Sequence, residues 1–199
     1  MMNIKALLAG IMIAFCGYGY LVIDNKYLGA FLFSFGLLTI ISKEYELFTG
    51  KIYTLKFSSG QDWYNKLSML FMNFVGASLV GILFRFSTGL RTDTLWEAKL
   101  SNSWFAVVVL SFFCGVLMFL AVTLYVKEHN PLYVVMPIML FILTGCEHCI
   151  ANMFYLTLVS EISWEHIVYL FINIIGNTVG SLVFFNLEIK KKQEDRALW

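Results

Sequence analysis

The chain has 199 residues, of which 59% are hydrophobic and 14% charged, and its formal net charge is +1. A soluble domain carries about 25% charged residues, so this composition excludes an ordinary water-soluble domain and describes a polytopic membrane protein. A net charge so close to zero leaves no electrostatic footprint for nucleic acid.

Crossing hydrocarbon as a helix takes about 20 apolar residues. In chain order, the first such run is 5–23. Its apolar part, Ala6 to Ile23, follows a single Lys5 and lacks a small-residue cleavage site, so it is read as a retained span rather than a signal peptide. The stretch 28–41 is apolar but too short, and it meets Ser42-Lys43-Glu44-Tyr45-Glu46 before apolar character resumes at Leu47-Phe48 and continues to Phe57. Runs 66–86 and 104–125 are plain spans. The stretch 131–146 is again short, meets Glu147-His148, and resumes over 149–159. Run 167–185 is the last plain span, and 188–199, with Lys190-Lys191-Lys192, reads as a solvated cytoplasmic tail.

The expected fold class is therefore all-α integral membrane, one channel domain over 1–199. Six transmembrane helices form two three-span repeats, about 1–86 and 102–187, with the second and fifth helices broken. An odd number of spans inverts the second repeat. Interrupted spans at matching positions of inverted halves point to a transport site near the midplane. Unwound backbone persists at that depth only where it lines a cavity or is buried in protein. Half-helix N-termini there offer partial positive charge to an anion.

Basic residues set the orientation. With the N-terminus inside, the cytoplasmic side holds Lys5, Lys51, Lys56, Lys66, Lys127, Lys190, Lys191, Lys192 and Arg196, and the outside holds Lys26, Arg85, Arg91 and Lys99. Both termini are thus expected in the cytoplasm, with the chain in the cell's inner (plasma) membrane. Gly176-x-x-x-Gly180 and Ala77-x-x-x-Gly81 put small residues on one helix face for close packing.

The second break, Gly145-Cys146-Glu147-His148-Cys149-Ile150-Ala151-Asn152-Met153, is the segment expected to carry the chemistry. An ionisable residue at membrane depth rarely faces lipid and marks a polar path or site. Cys16, Cys114, Cys146 and Cys149 all sit in apolar segments and read as small buried hydrophobes. A structural metal site wants four ligands, and no second ligand cluster accompanies Cys146 and Cys149, so no metal or cofactor is expected. A haem protein would need a second axial ligand at depth. A hydrolase would need a nucleophile facing its base, and the adjacent pair His148 and Cys149 is the sole candidate. The Asn-Pro-Ala boxes of a water or glycerol channel are absent.

Glu46-Leu47-Phe48-Thr49-Gly50 in the first break, Glu147-His148-x-x-Ala151-Asn152-Met153 in the second and Gly176-Asn177-Thr178-Val179-Gly180 in the last span together resemble the formate/nitrite transporter family. The resemblance runs along nearly the whole chain. It implies a homopentamer whose subunits each have an aquaporin-like six-helix fold and their own pore for small monovalent weak-acid anions. Formate is the family's commonest substrate, with nitrite and hydrosulfide as alternatives. By the same resemblance His148 is the central pore histidine, Thr49 the pore threonine, Asn177 a pore asparagine and Lys99 the lysine near the outer mouth. Phe33 and Phe141 form an aromatic constriction, and Leu37 and Leu47 an aliphatic one. Glu147 braces the loop by accepting backbone hydrogen bonds, with Asn152 beside it. Glycine at position 115, where many relatives carry asparagine, removes a hydrogen-bond partner for His148 or Glu147 and is commoner in the hydrosulfide-conducting branch.

Thr49 and Asn177 read equally well as pore lining or as interhelical glue, and His148 also reads as a satisfied core histidine holding the broken helix. His129 and His166 lie at span edges and read as surface groups. A bare anion in a dry constriction loses hydration worth far more than a few kcal/mol. Fixed donors offset that loss in one route; removal of the charge avoids it in the other. Burial disfavours a charged imidazole, so a neutral His148 is expected until an incoming anion favours proton uptake.

Overall fold

The computed structural model describes residues 3–197, with side chains to residue 190. Of the tail expected over 188–199, residues 198–199 and the side chains of Lys191, Lys192 and Arg196 lie outside the described residues, as do residues 1–2 of the first expected repeat. The described residues form helices α1 (Ile4–Val22), α2 (Lys26–Ser42), α3 (Phe48–Lys51), α4 (Gly60–Thr88), α5 (Asp93–Leu100), α6 (Trp104–Glu128), α7 (Leu132–Leu143), α8 (Cys149–Leu156) and α9 (Trp164–Ala197), with a 3-10 turn Ile52–Thr54 after α3. No strand occurs among the described residues.

Helices α1, α4, α6 and most of α9 are the four that are long and apolar enough to cross a membrane, in the places where plain spans are expected. Polar side chains start three of them, α1, α4 and α6. Asn3 accepts from Ala6 N–H, Ser59 from Asp62 N–H and Ser103 from Ala106 N–H, satisfying amides that have no partner within the helix. Helices α2 and α7 are shorter. Each ends two residues before a left-handed position, Glu44 at φ 53° and Gly145 at φ 71°. The chain then runs extended into the short helices α3 and α8.

Helix α1 lies along α4 and α6 along α9. The crossings are tight because glycines face backbone: a Cβ on Gly10 would collide with the Asn73 carbonyl, and one on Gly76 with that of Leu7. In the other pair a Cβ on Gly115 would collide with the Asn177 carbonyl, and one on Gly180 with that of Phe112. Helix α5 stands where hydropathy suggests only a loop. Eight residues are too few to register as a span, but Asp93 in the first turn and Lys99 in the last suit a helix dipole.

Candidate functional site

Two carboxamides fix the breaks. Asn73 of α4 accepts from Phe48 N–H at 2.8 Å and donates to the carbonyls of Ala6 at 2.7 Å and Glu46 at 2.8 Å. Asn177 of α9 accepts from Cys149 N–H at 2.9 Å and donates to the carbonyls of Ser111 and Glu147, both at 2.8 Å. Each thus pins the first amide of a half-helix and the carbonyl two residues before it. Backbone groups freed by the break would otherwise be orphaned in the protein interior, where Leu47, Phe48, Glu147, His148 and Cys149 are all buried and an unpaired polar group is costly.

The pins bring together residues 99 apart in sequence: Thr49 Oγ1 lies 2.8 Å from His148 Nε2, and both residues are buried. His148 is also the N-cap of α8, its Nδ1 accepting from Ala151 N–H at 3.2 Å. A nitrogen that accepts carries no hydrogen, so the neutral ring bears its proton on Nε2. That N–H donates to Thr49 Oγ1, and the threonine's own hydroxyl hydrogen can turn to another acceptor. The arrangement is a short donor chain that ends in a rotatable O–H.

Cavities approach this contact from both faces. On the face that holds the N-terminus, a cavity of about 300 Å³ is lined by Leu37 and Leu47 together with Lys5, Glu44, Gly50 and Lys51. On the opposite face a cavity of about 140 Å³ is lined by Phe33, Phe141, Lys99, Cys146, His148 and Asn152. Phe33 meets Phe141 edge-on at 5.9 Å, and Phe141 stacks on His148 at 5.9 Å. The expected aromatic and aliphatic residues therefore lie on opposite sides of the Thr49–His148 contact. Asn177 lines neither cavity; all its polar atoms hold backbone.

Helix α5 delivers Lys99 to the second break. Its Nζ lies 2.9 and 2.7 Å from the two oxygens of Glu147, whose carboxylate also accepts from Asn152 at 2.7 Å. Asn152 continues to Asn173, which donates to Ser111 Oγ at 3.0 Å. This corrects the expectation for Glu147: it braces the loop through side-chain donors, not through backbone amides. Helix α5 is itself anchored at its start, where Thr92 donates to the Tyr155 carbonyl at 2.7 Å and Asp93 accepts from Ser160 N–H at 2.7 Å. That backbone hydrogen bond holds the Asp93 carboxyl below the usual carboxylate range.

With side chains 14% and 3% exposed, Lys99 and Glu147 form a largely buried pair, and deleting one partner strands the other's charge. Lys99→Met is expected to cost about 3 kcal/mol, read as a lower unfolding temperature in detergent. The double variant Lys99→Met/Glu147→Gln should recover a substantial part of it. Equal loss in the single and double variants would show that the pair is not what is being broken.

The sequence matches the profile of a family described as formate/nitrite transporter over residues 1–188. The chain belongs to the formate/nitrite transporter family. It is 28% identical over 149 residues to the formate channel FocA of Haemophilus influenzae, covering 65% of this chain and 52% of that protein. It is 29% identical over 181 residues to the formate channel BtFdhC of Bacillus thuringiensis, covering 79% and 69%. The chain thus spans about half the length of the Haemophilus channel. Among solved structures, an FNT family ion channel superposes with a TM-score of 0.79 at 22% identity, covering 96% of this chain and 89% of that one. A pentameric formate channel with formate bound gives 0.77 at 23%, covering 100% and 97%. These two establish the shared fold. The relatives and neighbours are channels, not enzymes.

Within this formate/nitrite transporter fold, two further expectations change and one residue comes to light. Gly115 is no vacant hydrogen-bonding position: its Cα abuts the backbone of Asn177, and the polar partner in that helix is Ser111, one turn earlier. His166 is not a surface group; it is buried, its Nδ1 accepts from Ser163 N–H at 3.1 Å, and it packs on Trp96 at 4.8 Å. Asn73 went unnoticed. Its signal was Asn73-x-x-Gly76 in the third span against Asn177-x-x-Gly180 in the last, a spacing that puts a pin and a crossing glycine on one helix face.

Proposed function

We propose that this chain is one subunit of a homopentameric channel for small monovalent weak-acid anions, with formate as the first substrate. The observation that carries this reading is the Thr49–His148 contact at 2.8 Å, two convergent polar groups between cavities on opposite faces. The names of the relatives in Haemophilus and Bacillus add formate as the substrate class. Six crossings in two inverted repeats follow from taking α2–α3 and α7–α8 as broken spans. The equivalent roles of Asn73 and Asn177, Glu46 and Glu147, and Glu44 and Gly145 support that reading. We place the channel in the plasma membrane with both termini in the cytoplasm, on the bias of basic residues.

In this mechanism an anion sheds water in either cavity, and Lys5 and Lys51 favour its approach on the face that holds the N-terminus, while on the other face the Lys99 charge is already balanced by Glu147. The Phe33–Phe141 and Leu37–Leu47 constrictions exclude water without replacing its hydrogen bonds. At the centre the Thr49 hydroxyl turns toward the anion, and His148 Nε2–H, already donating to that oxygen, strengthens the donor. The arriving anion favours uptake of a proton from water at His148 Nδ1, which releases the Ala151 cap; the imidazolium then passes its Nε2 proton through the Thr49 hydroxyl to the carboxylate, so a neutral acid crosses the apolar side. The ring is left neutral and returns to its Nε2–H form by exchange with water. Nitrite shares this chemistry. Hydrosulfide loses its particular support, because Gly115 serves a helix crossing.

Uptake of formate, nitrite and hydrosulfide into proteoliposomes at two pH values tests the reading. Formate flux should exceed that of empty vesicles and should rise toward acid pH. No flux of any of the three would refute the channel assignment, and a preference for hydrosulfide would overturn the substrate.

A further inference from the structure

Both half-helices have a far end, pointing away from the central contact, and each far end is held by a cation from the same helix, α4. Lys66 Nζ lies 2.8 Å from the Lys51 carbonyl and 2.6 Å from Thr54 Oγ1, at the close of α3 and its 3-10 turn. Arg85 Nη1 lies 2.7 Å from the Val159 carbonyl and 3.3 Å from that of Thr157, just past the end of α8. The two cations are about 28 Å apart along an ideal helix, close to the hydrocarbon thickness of about 30 Å. Cations at such depths ordinarily turn their heads outward to lipid headgroups and water. Lys66 does the reverse: it is 7% exposed and reaches inward to backbone. Between them on α4 stands Asn73, which pins the first amide of α3.

We propose that Lys66 and Arg85 are positioning residues of the pore, clamping the far ends of the two half-helices so that Thr49 and His148 stay within hydrogen-bonding reach. This rests on the channel reading above. The physical reason is that short helices are weakly self-supporting, and their last carbonyls have no partner within the helix. A guanidinium on the carbonyls after α8 satisfies them and compensates the negative end of that helix. The opposite end, capped by His148, then faces the pore with its partial positive charge undiminished. Lys66 does the corresponding mechanical work for the segment that carries Thr49. The charged neighbours of Lys66 are Asp62 on its own helix and Lys51 and Glu46 on the first break. One lysine and two carboxylates thus surround it, and its nearest contacts are the neutral oxygens of Lys51 and Thr54.

The test uses the full chain in proteoliposomes, with Arg85→Met, Arg85→Lys, Lys66→Met and Lys66→Arg. Initial rates of formate uptake against concentration separate KM from maximal rate. Losing a compensated helix end is expected to raise KM for formate about fivefold in Arg85→Met, with the maximal rate little changed and most of the effect reversed in Arg85→Lys. Hydrogen exchange should accelerate at 157–159 in Arg85→Met alone and at 51–54 in Lys66→Met alone. Unchanged KM in both methionine variants, or lower rates with KM unchanged, would overturn the positioning role. So would exchange that rises equally at both sites. If Lys66→Met does not fold, Lys66→Arg and the two Arg85 variants decide the matter by the same criteria. Failure of the unaltered chain to transport formate, nitrite or hydrosulfide would sink the channel reading, and the exchange pattern would then judge the clamp by itself.

Discussion

Formate uptake by the His148→Asn channel is expected to fall at least about tenfold at neutral pH, and by less in acid. The ring has two jobs. Its Nδ1 caps α8 by accepting from Ala151 N–H, and its Nε2 lies against Thr49 Oγ1. Asparagine keeps a cap, since its side-chain oxygen can take the same amide, but it has no ring nitrogen that can take up a proton and pass one on. The anion must then cross the Phe33–Phe141 or Leu37–Leu47 side with its charge. In acid more of the substrate is already neutral, so the deficit narrows. Uptake into proteoliposomes across a pH series measures this. An unaltered pH profile in the His148→Asn variant would remove the histidine from proton transfer and leave it as a cap. Thr49→Val is the companion measurement: with no hydroxyl between ring and anion the relay is broken, so flux should fall and the deficit should again narrow in acid.

The next largest effect is on stability. In Asn177→Leu, Cys149 N–H and the carbonyls of Ser111 and Glu147 lose their partner together. Each buried backbone group left unmade costs about 1–3 kcal/mol, so a loss of about 3 kcal/mol or more is expected, as a lower unfolding temperature in detergent. Leucine is close in volume, so the loss reports the hydrogen bonds rather than a cavity. Asn73→Leu should behave alike, because Asn73 serves Phe48 N–H and the carbonyls of Ala6 and Glu46 in the first break. A change under about 1 kcal/mol in both, the usual worth of a side-chain hydrogen bond between membrane helices, would mean the breaks re-pair with other groups. A large loss in only one would argue against equivalent roles for the two halves.

Much of this was legible in the chain because it is local. Four uninterrupted apolar runs gave four long helices, since hydrocarbon thickness sets a length that any window along the sequence can read. The two interrupted runs gave α2 and α7, each ending in a break, because Glu44 and Gly145 sit beside charged or polar residues that no continuous span would hold. The residues now found around the central contact, His148, Thr49, Phe33 and Phe141, could be named beforehand by resemblance to the family. Helix α5 could not: Asp93–Leu100 is short and polar, and contacts distant in sequence make it part of the body, Trp96 against Tyr169 and His166, Asp93 to Ser160 and Lys99 to Glu147.

What the sequence by itself determined about this protein is its membrane character, the positions of its four long apolar helices and of the breaks after α2 and α7, and its family, all properties of contiguous residues. The tertiary structure alone decided the partners. That Thr49 meets His148 across 99 residues, that Lys99 crosses 48 to neutralise Glu147, and that Asn73 and Asn177 do the same work are consequences of two tight helix crossings. Those crossings depend on glycines facing backbone from another helix. Composition shows that a glycine is small; only packing shows which carbonyl it allows to approach.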